Sequence, residues 1–136
     1  MRDMARIGED TYFLSAKALW YSPNVDRSFL DSFIKEMRRK KVAYKTLYDP
    51  RVPQKFPQAL TEVGGEYKVL PSGFETPGVM DVFGDHLVTF SSVDVANFGE
   101  DGTIFVIINQ ELADSFRTWF NFMWEMCPDY KPSLST

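Results

Sequence analysis

The apolar runs of this chain are four to seven residues long and are separated by glycine, proline or charged residues, which is typical of β-strands. Two of the runs flank Gly84 and Asp85, a pair that predicts a tight hairpin. We therefore expect a mixed, mostly parallel sheet of five or six strands. The runs are Thr11–Ala16, 42–48, 67–70, Val79–Phe83, 86–90 and Thr103–Ile108.

A spacing of three and four between apolar residues predicts two helices on the faces of this sheet. Residues 29–41 place their apolar side chains on one side and end in four consecutive cations, which suit the negative end of a helix dipole. This helix joins the first two strands in a right-handed parallel crossover. The second helix runs from Gln110 to Met126 behind an Asn109 N-cap, and its apolar stripe covers more than half of its circumference. A short helix is expected within residues 54–63.

The length of 136 residues suits one α/β domain with a sizeable core. We expect residues 11–127 to form that domain, residues 1–10 to be an N-terminal extension and residues 128–136 to be a flexible tail. Aromatic residues make up 15% of the chain, with twelve phenylalanines among them, so they should dominate the core.

A net charge of −4 and a pI near 5.0 argue against direct nucleic-acid binding, which relies on cations to release counterions. Residues 35–41 carry five cations, but their place at a helix end favours a solvated terminus over a nucleic-acid patch. The single cysteine, Cys127, leaves no intrachain disulfide possible. The sequence shows neither a signal peptide nor a membrane span, so we expect a cytoplasmic protein without membrane contact.

Few residues carry obvious chemistry. The lone histidine, His86, follows Asp85 at the predicted hairpin turn and lacks the further His or Cys ligands of a metal site. Asp81 interrupts an apolar run, and a buried aspartate needs a partner or a pocket. Trp20 and Tyr21 follow the first strand at its carboxyl end, where open α/β sheets bind ligands, although a loop packed on the core explains them equally well. We predict no metal and no cofactor.

Three segments carry a resemblance to a known family. Residues 39–49 read Arg-Lys-Lys-Val-Ala-Tyr-Lys-Thr-Leu-Tyr-Asp, residues 80–90 read Met-Asp-Val-Phe-Gly-Asp-His-Leu-Val-Thr-Phe, and the last helix carries Phe120-x-x-x-Trp124 near its end. With the strand Thr11–Ala16, these segments resemble the phospholipase D-like domain of archaeal TrmB-type, sugar-sensing transcription regulators. The resemblance covers about residues 10–127. It implies a phospholipase D-like half-domain.

The chain departs from the catalytic phospholipase D superfamily at the H-x-K-x4-D motif. If Asp81 is the aspartate, the histidine and lysine positions hold Phe74 and Thr76. If His86 is the histidine, both remaining positions hold valine. Neither register supplies the nucleophilic histidine and the phosphate-binding lysine, which predicts that phosphodiester chemistry is absent.

The regulators also carry a winged helix-turn-helix ahead of this domain. Ten residues before the first strand cannot hold one, so we expect a fragment or a free-standing sensor-like domain. The leading hypothesis is a non-enzymatic domain that senses a sugar or metabolite or that dimerises. The alternatives are a phosphodiesterase-like enzyme with a displaced site and a protein-interaction module. The candidate ligand-binding residues are Trp20, Tyr21, Asp49, Phe74 and Asp81.

The wide stripe of the last helix predicts a homodimer. Phe122 and Trp124 lie on its two flanks, and at least one of them should be buried between chains. The resemblance implies the same state, since phospholipase D-like half-domains commonly pair about a two-fold axis.

Overall fold

The computed structural model describes residues 11–19, 44–62, 65–97 and 102–130, together with five single positions between the first two strands. Those five positions are helical and exposed, as expected for the polar side of the predicted helix at residues 29–41. Its apolar side lies outside the described residues. The five positions are Ser28, Asp31, Ser32, Lys35 and Arg39.

One mixed sheet of six strands confirms the predicted α/β class. Its order is β3-β2-β1-β4-β5-β6, where the strands are β1 (Thr11–Ala16), β2 (Tyr44–Tyr48), β3 (Glu66–Val69), β4 (Val79–Phe83), β5 (His86–Ser91) and β6 (Thr103–Ile108). Parallel pairing is confined to β1, β2 and β3, so the sheet is mixed but not mostly parallel as expected. An antiparallel meander of β4, β5 and β6 attaches to the free side of β1 through β4. The strand order therefore reverses at β1.

Two short helices, α1 (Val52–Lys55) and α2 (Ala59–Glu62), stand where the sequence predicted one. Pro57 explains the break between them, because the helical region is disfavoured for a residue before proline. Phe56 accordingly has φ −139° and ψ 66°. The last helix, α3 (Gln110–Met126), has the predicted bounds.

The long helix α3 packs across β1, β4 and β5. It starts where predicted, since the Asn109 side chain accepts a hydrogen bond from the Leu112 amide at 2.9 Å. Phe120 is fully buried in this core and stacks on Tyr12 with ring centroids 4.7 Å apart. At the other end, Lys68 donates to carbonyl oxygens of the last turn. No helix in the described part of the chain is long and apolar enough to cross a membrane.

Candidate functional site

The first strand ends in a β-bulge that redirects its last polar groups. The pairing register with β2 shifts between Leu14 and Ala16, so Ser15 is the extra residue. Its φ of 60° is left-handed, and this region costs a non-glycine residue roughly 1–2 kcal/mol. In return, both the carbonyl and the hydroxyl of Ser15 accept hydrogen bonds from the Lys17 ammonium.

Lys17 is fully buried at the carboxyl end of β1. Its Nζ donates to the Ser15 carbonyl at 3.0 Å, the Ser15 Oγ at 2.9 Å and the Gly78 carbonyl at 2.7 Å. An ammonium has three donors, so these acceptors satisfy it. Asp49 Oδ2 lies 3.4 Å from the same nitrogen. Burial lowers the pKa of Lys17, against the attraction of Asp49, which raises it.

Asp49 is the fully buried carboxylate at the matching end of β2. Arg51 donates to it three times, from the backbone amide, Nε and Nη2, each at 2.9 Å. The two guanidinium bonds reach different carboxylate oxygens, which is the strong bidentate geometry. Burial by itself would raise the pKa of Asp49, but the hydrogen bonds from Arg51 and the charge of Lys17 outweigh it and hold that pKa below its ordinary value.

Arg51 connects this buried cluster to the surface. Its side chain is 30% exposed, and Nη1 binds Asp94 Oδ1 at 2.9 Å while Nη2 reaches the Thr76 carbonyl at 3.3 Å. Hydrogen bonding to Asp49 raises the pKa of the guanidinium, so Arg51 keeps its charge. We call the linked side chains of Lys17, Asp49, Arg51 and Asp94 the strand-end cluster.

An open pocket of about 370 Å³ lies beside the guanidinium. It sits at the carboxyl ends of the parallel strands, beside the point where the strand order reverses, which is the usual ligand position in open α/β sheets. The loop after β5 closes its rim, since the Val93 amide donates to the Pro77 carbonyl at 3.0 Å. Its polar lining residues are Arg51, Glu75, Thr76, Ser92, Asp94 and Asn97.

The structure brings only part of the predicted ligand site to this pocket. Asp49 anchors Arg51 but is itself covered. Phe74 is 61% exposed and precedes the lining residue Glu75 in the chain. Trp20 and Tyr21 lie outside the described residues.

Asp81 belongs to a different part of the sheet. It lies in the middle of β4, paired with Phe13 of β1 and Val88 of β5. It is 8% exposed, and its Oδ1 has no hydrogen-bond partner among the described residues. Burial raises the pKa of Asp81 to about 8, so the side chain carries a proton at neutral pH. The expected partner is therefore not found in the part of the chain that the structure describes.

The sequence reasoning missed Lys17 and Arg51. Lysine and arginine are normally exposed, so neither residue type suggests a buried site. The available signal was position: Lys17 is the first residue after β1, and Arg51 is the third residue after β2. Charged residues at neighbouring strand ends meet at one edge of the sheet.

His86 lies at the opposite end of the sheet, as a strand-edge residue. Its Nδ1 is 2.7 Å from Asp85 Oδ1, and its ring stacks on Phe83. Asp85 occupies the predicted turn. Cys127 is buried at the end of α3. Within the described ranges, no group of His, Cys, Asp and Glu side chains is placed to hold a metal ion.

Solved structures provide a fold-level comparison. One similar chain is TrmBL2, described as an archaeal chromatin protein that shows a novel mode of DNA binding, with a TM-score of 0.57 and 16% sequence identity. The similarity covers 95% of the present chain and 50% of that chain, so the present chain spans about half its length. This supports the predicted TrmB-like relation at the level of the fold, and it does not support the narrower phospholipase D-like assignment. No family model and no curated protein matches the sequence.

Proposed function

We propose that this chain is a non-enzymatic, ligand-sensing domain of a transcription-regulator type of protein. The observation that carries the proposal is Arg51, which the buried Asp49 anchors and which lines an open polar pocket. The fold similarity to half of a DNA-binding chromatin protein supports a regulator context. The net charge of −4 supports DNA contact by another module rather than by this one.

The lining of the pocket favours a polyhydroxylated ligand, such as a sugar or a related metabolite. The Nη1 of Arg51 keeps one donor, Glu75 and Asp94 supply acceptors, and Asn97 supplies both. Neighbouring hydroxyl groups of a sugar are themselves donors and acceptors, so this mixture complements them. The volume also lies within the range of about 300–1,000 Å³ that small-molecule sites occupy.

The same geometry favours binding without turnover. A general base needs a free oxygen and a pKa near the working pH, but Arg51 and Lys17 engage both oxygens of Asp49 and lower its pKa. The Lys17 ammonium is already saturated by backbone and hydroxyl acceptors. His86 lies at the other end of the sheet and cannot serve this pocket.

A thermal-shift screen of mono- and disaccharides tests the proposal. A ligand at 100 times its dissociation constant stabilises the folded state by about 2.7 kcal/mol, which for a chain of this size raises Tm by roughly 5–15 °C. We expect Asp94→Asn to abolish the shift, because it removes a charged acceptor that also orients Arg51. Asp114→Asn is the matched control, since this exposed aspartate lies on α3.

Two results would contradict this function. One is a screen in which no sugar or polyol shifts Tm at tens of millimolar. The other is hydrolysis of a chromogenic phosphodiester that His86→Ala abolishes, which would favour the enzymatic alternative instead.

A further inference from the structure

The two edges of the sheet differ in how they are protected. The β3 edge has only four residues, two of which, Glu66 and Lys68, are charged. The β6 edge has six residues, Thr-Ile-Phe-Val-Ile-Ile, without a charge or a proline. Natural sheets protect exposed edges with short strands, charges or proline, because unpaired backbone groups bind other strands. The β6 edge has none of these protections.

Strand β6 is also uncovered on both faces. Successive side chains of a strand point to opposite faces, yet all of residues 104–108 are between 41% and 64% exposed. Helix α3 packs mainly over β1, β4 and β5. Beyond β6, no further strand pairs with the sheet in the described part of the chain.

The outer side of α3 continues this apolar surface. Leu112, Trp119, Phe122 and Met126 are 46% to 69% exposed and recur at helical spacing. The residues that bury the helix, such as Phe116 and Phe120, lie on a different side. Ile107 pairs with Leu87, which is buried under α3, so Phe105 and Ile107 lie on the α3 side of the sheet. Residues 104, 106 and 108 lie on the opposite side. We call Phe105 and Ile107 together with these four helical residues the β6–α3 face.

We propose that two copies of this chain associate through the β6–α3 face, with β6 paired antiparallel to β6 of the second copy. Antiparallel pairing of a strand with its own copy is two-fold symmetric, so one pairing satisfies both outer edges. The assembly then stops at two, because only the charged, short β3 edges remain. A second copy suits this face better than an unlike partner does, since each copy brings the same unprotected edge and apolar stripe.

The area of the face matches this occupant. The six apolar side chains of this face, each 41% to 69% exposed, present on the order of 700 Å². A stable interface covers about 800 Å² on each partner. The predicted interface residue Trp124 is not part of it, because this ring is 8% exposed, stacks on Phe120 and lies under the Lys68 ammonium. Phe122, at 68% exposure, is the available anchor.

Sedimentation velocity of the full chain from about 1 to 100 µM tests the proposal. We expect a dimer that dissociates on dilution, and we expect Phe105→Lys and Phe122→Lys each to raise its Kd by about 30-fold, which corresponds to about 2 kcal/mol. Both positions are exposed within one chain, so the variants should keep their Tm at concentrations where only monomer is present. The matched controls are Phe74→Lys, an exposed apolar residue elsewhere, and Asn121→Lys, beside Phe122 on the helix.

Hydrogen exchange separates edge pairing from side-chain packing alone. We expect β6 amides to exchange more slowly as the concentration of protein rises, while β3 amides stay unchanged. A wild type that remains monomeric at 100 µM would overturn the proposal. So would a dimer that both lysine variants leave intact, which would place the interface elsewhere. These readouts require no ligand, so they are independent of the function proposed for the pocket.

Discussion

The strand-end cluster and the β6–α3 face differ in which side chains they bury: the cluster buries charged groups, and the face exposes apolar ones. In the cluster, the fully buried charges of Lys17 and Asp49 are matched by donors and acceptors of the same chain. On the face, large apolar side chains of β6 and α3 remain in contact with water. The cluster is complete within one chain, whereas the face becomes complete only when something covers it.

The difference shows what each region contributes. Taking charges out of water is costly, and an ion pair repays that cost only when its remaining hydrogen bonds are satisfied. The bulge at Ser15 and the turn at Arg51 supply those bonds, so the cluster holds three strand ends in one arrangement. Burial of apolar surface requires no particular bond direction, and it stabilises an interface in proportion to the area removed from water. The first region therefore favours a defined pocket, and the second favours association.

The largest expected effect is at Asp81, which is buried like the charges of the strand-end cluster but has no partner for Oδ1 among the described residues. Its unfolded pKa is about 3.9, and its pKa in the fold is about 8. Between these values the unfolded chain releases the proton and the folded chain keeps it, so stability falls as pH rises. Asp81→Asn stays neutral and should escape this loss, which is on the order of 5 kcal/mol.

Urea unfolding at pH 4 and pH 8.5 measures this effect. We expect similar stability of the wild type and Asp81→Asn at pH 4 and a much more stable variant at pH 8.5. Asp114→Asn, which changes an exposed carboxyl, should leave the pH profile of the wild type in place. Parallel profiles for the wild type and Asp81→Asn would show that Asp81 finds a partner in its charged form.

Lys17→Met tests the completeness of the strand-end cluster, with the next largest effect. The substitution keeps the buried stem but removes the Lys17 donor from the Ser15 and Gly78 carbonyls and leaves Asp49 with one cation fewer. We expect a loss of about 3 kcal/mol in the free energy of unfolding. Lys45→Met is the control, because this ammonium lies over the Trp124 ring at 5.2 Å and should contribute less than about 1 kcal/mol. Equal losses of unfolding free energy in Lys17→Met and Lys45→Met would show that the buried cluster contributes no more than a surface contact.

Ser92→Gly tests the strained rim of the pocket and has the smallest expected effect. Ser92 is exposed with φ 58°, a conformation that glycine adopts without strain. We expect a gain of about 0.5–1 kcal/mol, after allowing for the greater freedom of glycine in the unfolded chain. Ser91→Gly, in the adjoining end of β5, should instead lose about 0.5–1 kcal/mol. A loss at both positions would show that the Ser92 side chain makes a stabilising contact.

Local pattern was enough to predict most elements of the fold. The runs at β1, β4 and β6 and the helix behind Asn109 have their predicted bounds, because period, capping and turn chemistry act over a few residues. The break between α1 and α2 was missed, although Pro57 carried the signal. Among the predicted site residues, Asp49 was found without its partners, since nothing in a single sequence pairs it with Lys17.

The sequence by itself determined the strands, the long helix, the acidic charge and the absence of charge and proline in β6. These features depend on residues that are close in sequence, because such residues set the hydrophobic period and the secondary-structure propensity. Only the tertiary structure decided that β6 is an edge strand, that Lys17 and Asp49 meet, that Trp124 faces inward while Phe122 faces water, and that Asp81 is buried in mid-sheet. Those outcomes depend on strand order and on which faces other elements cover. Contacts between residues distant in the chain set both, and no local pattern encodes them.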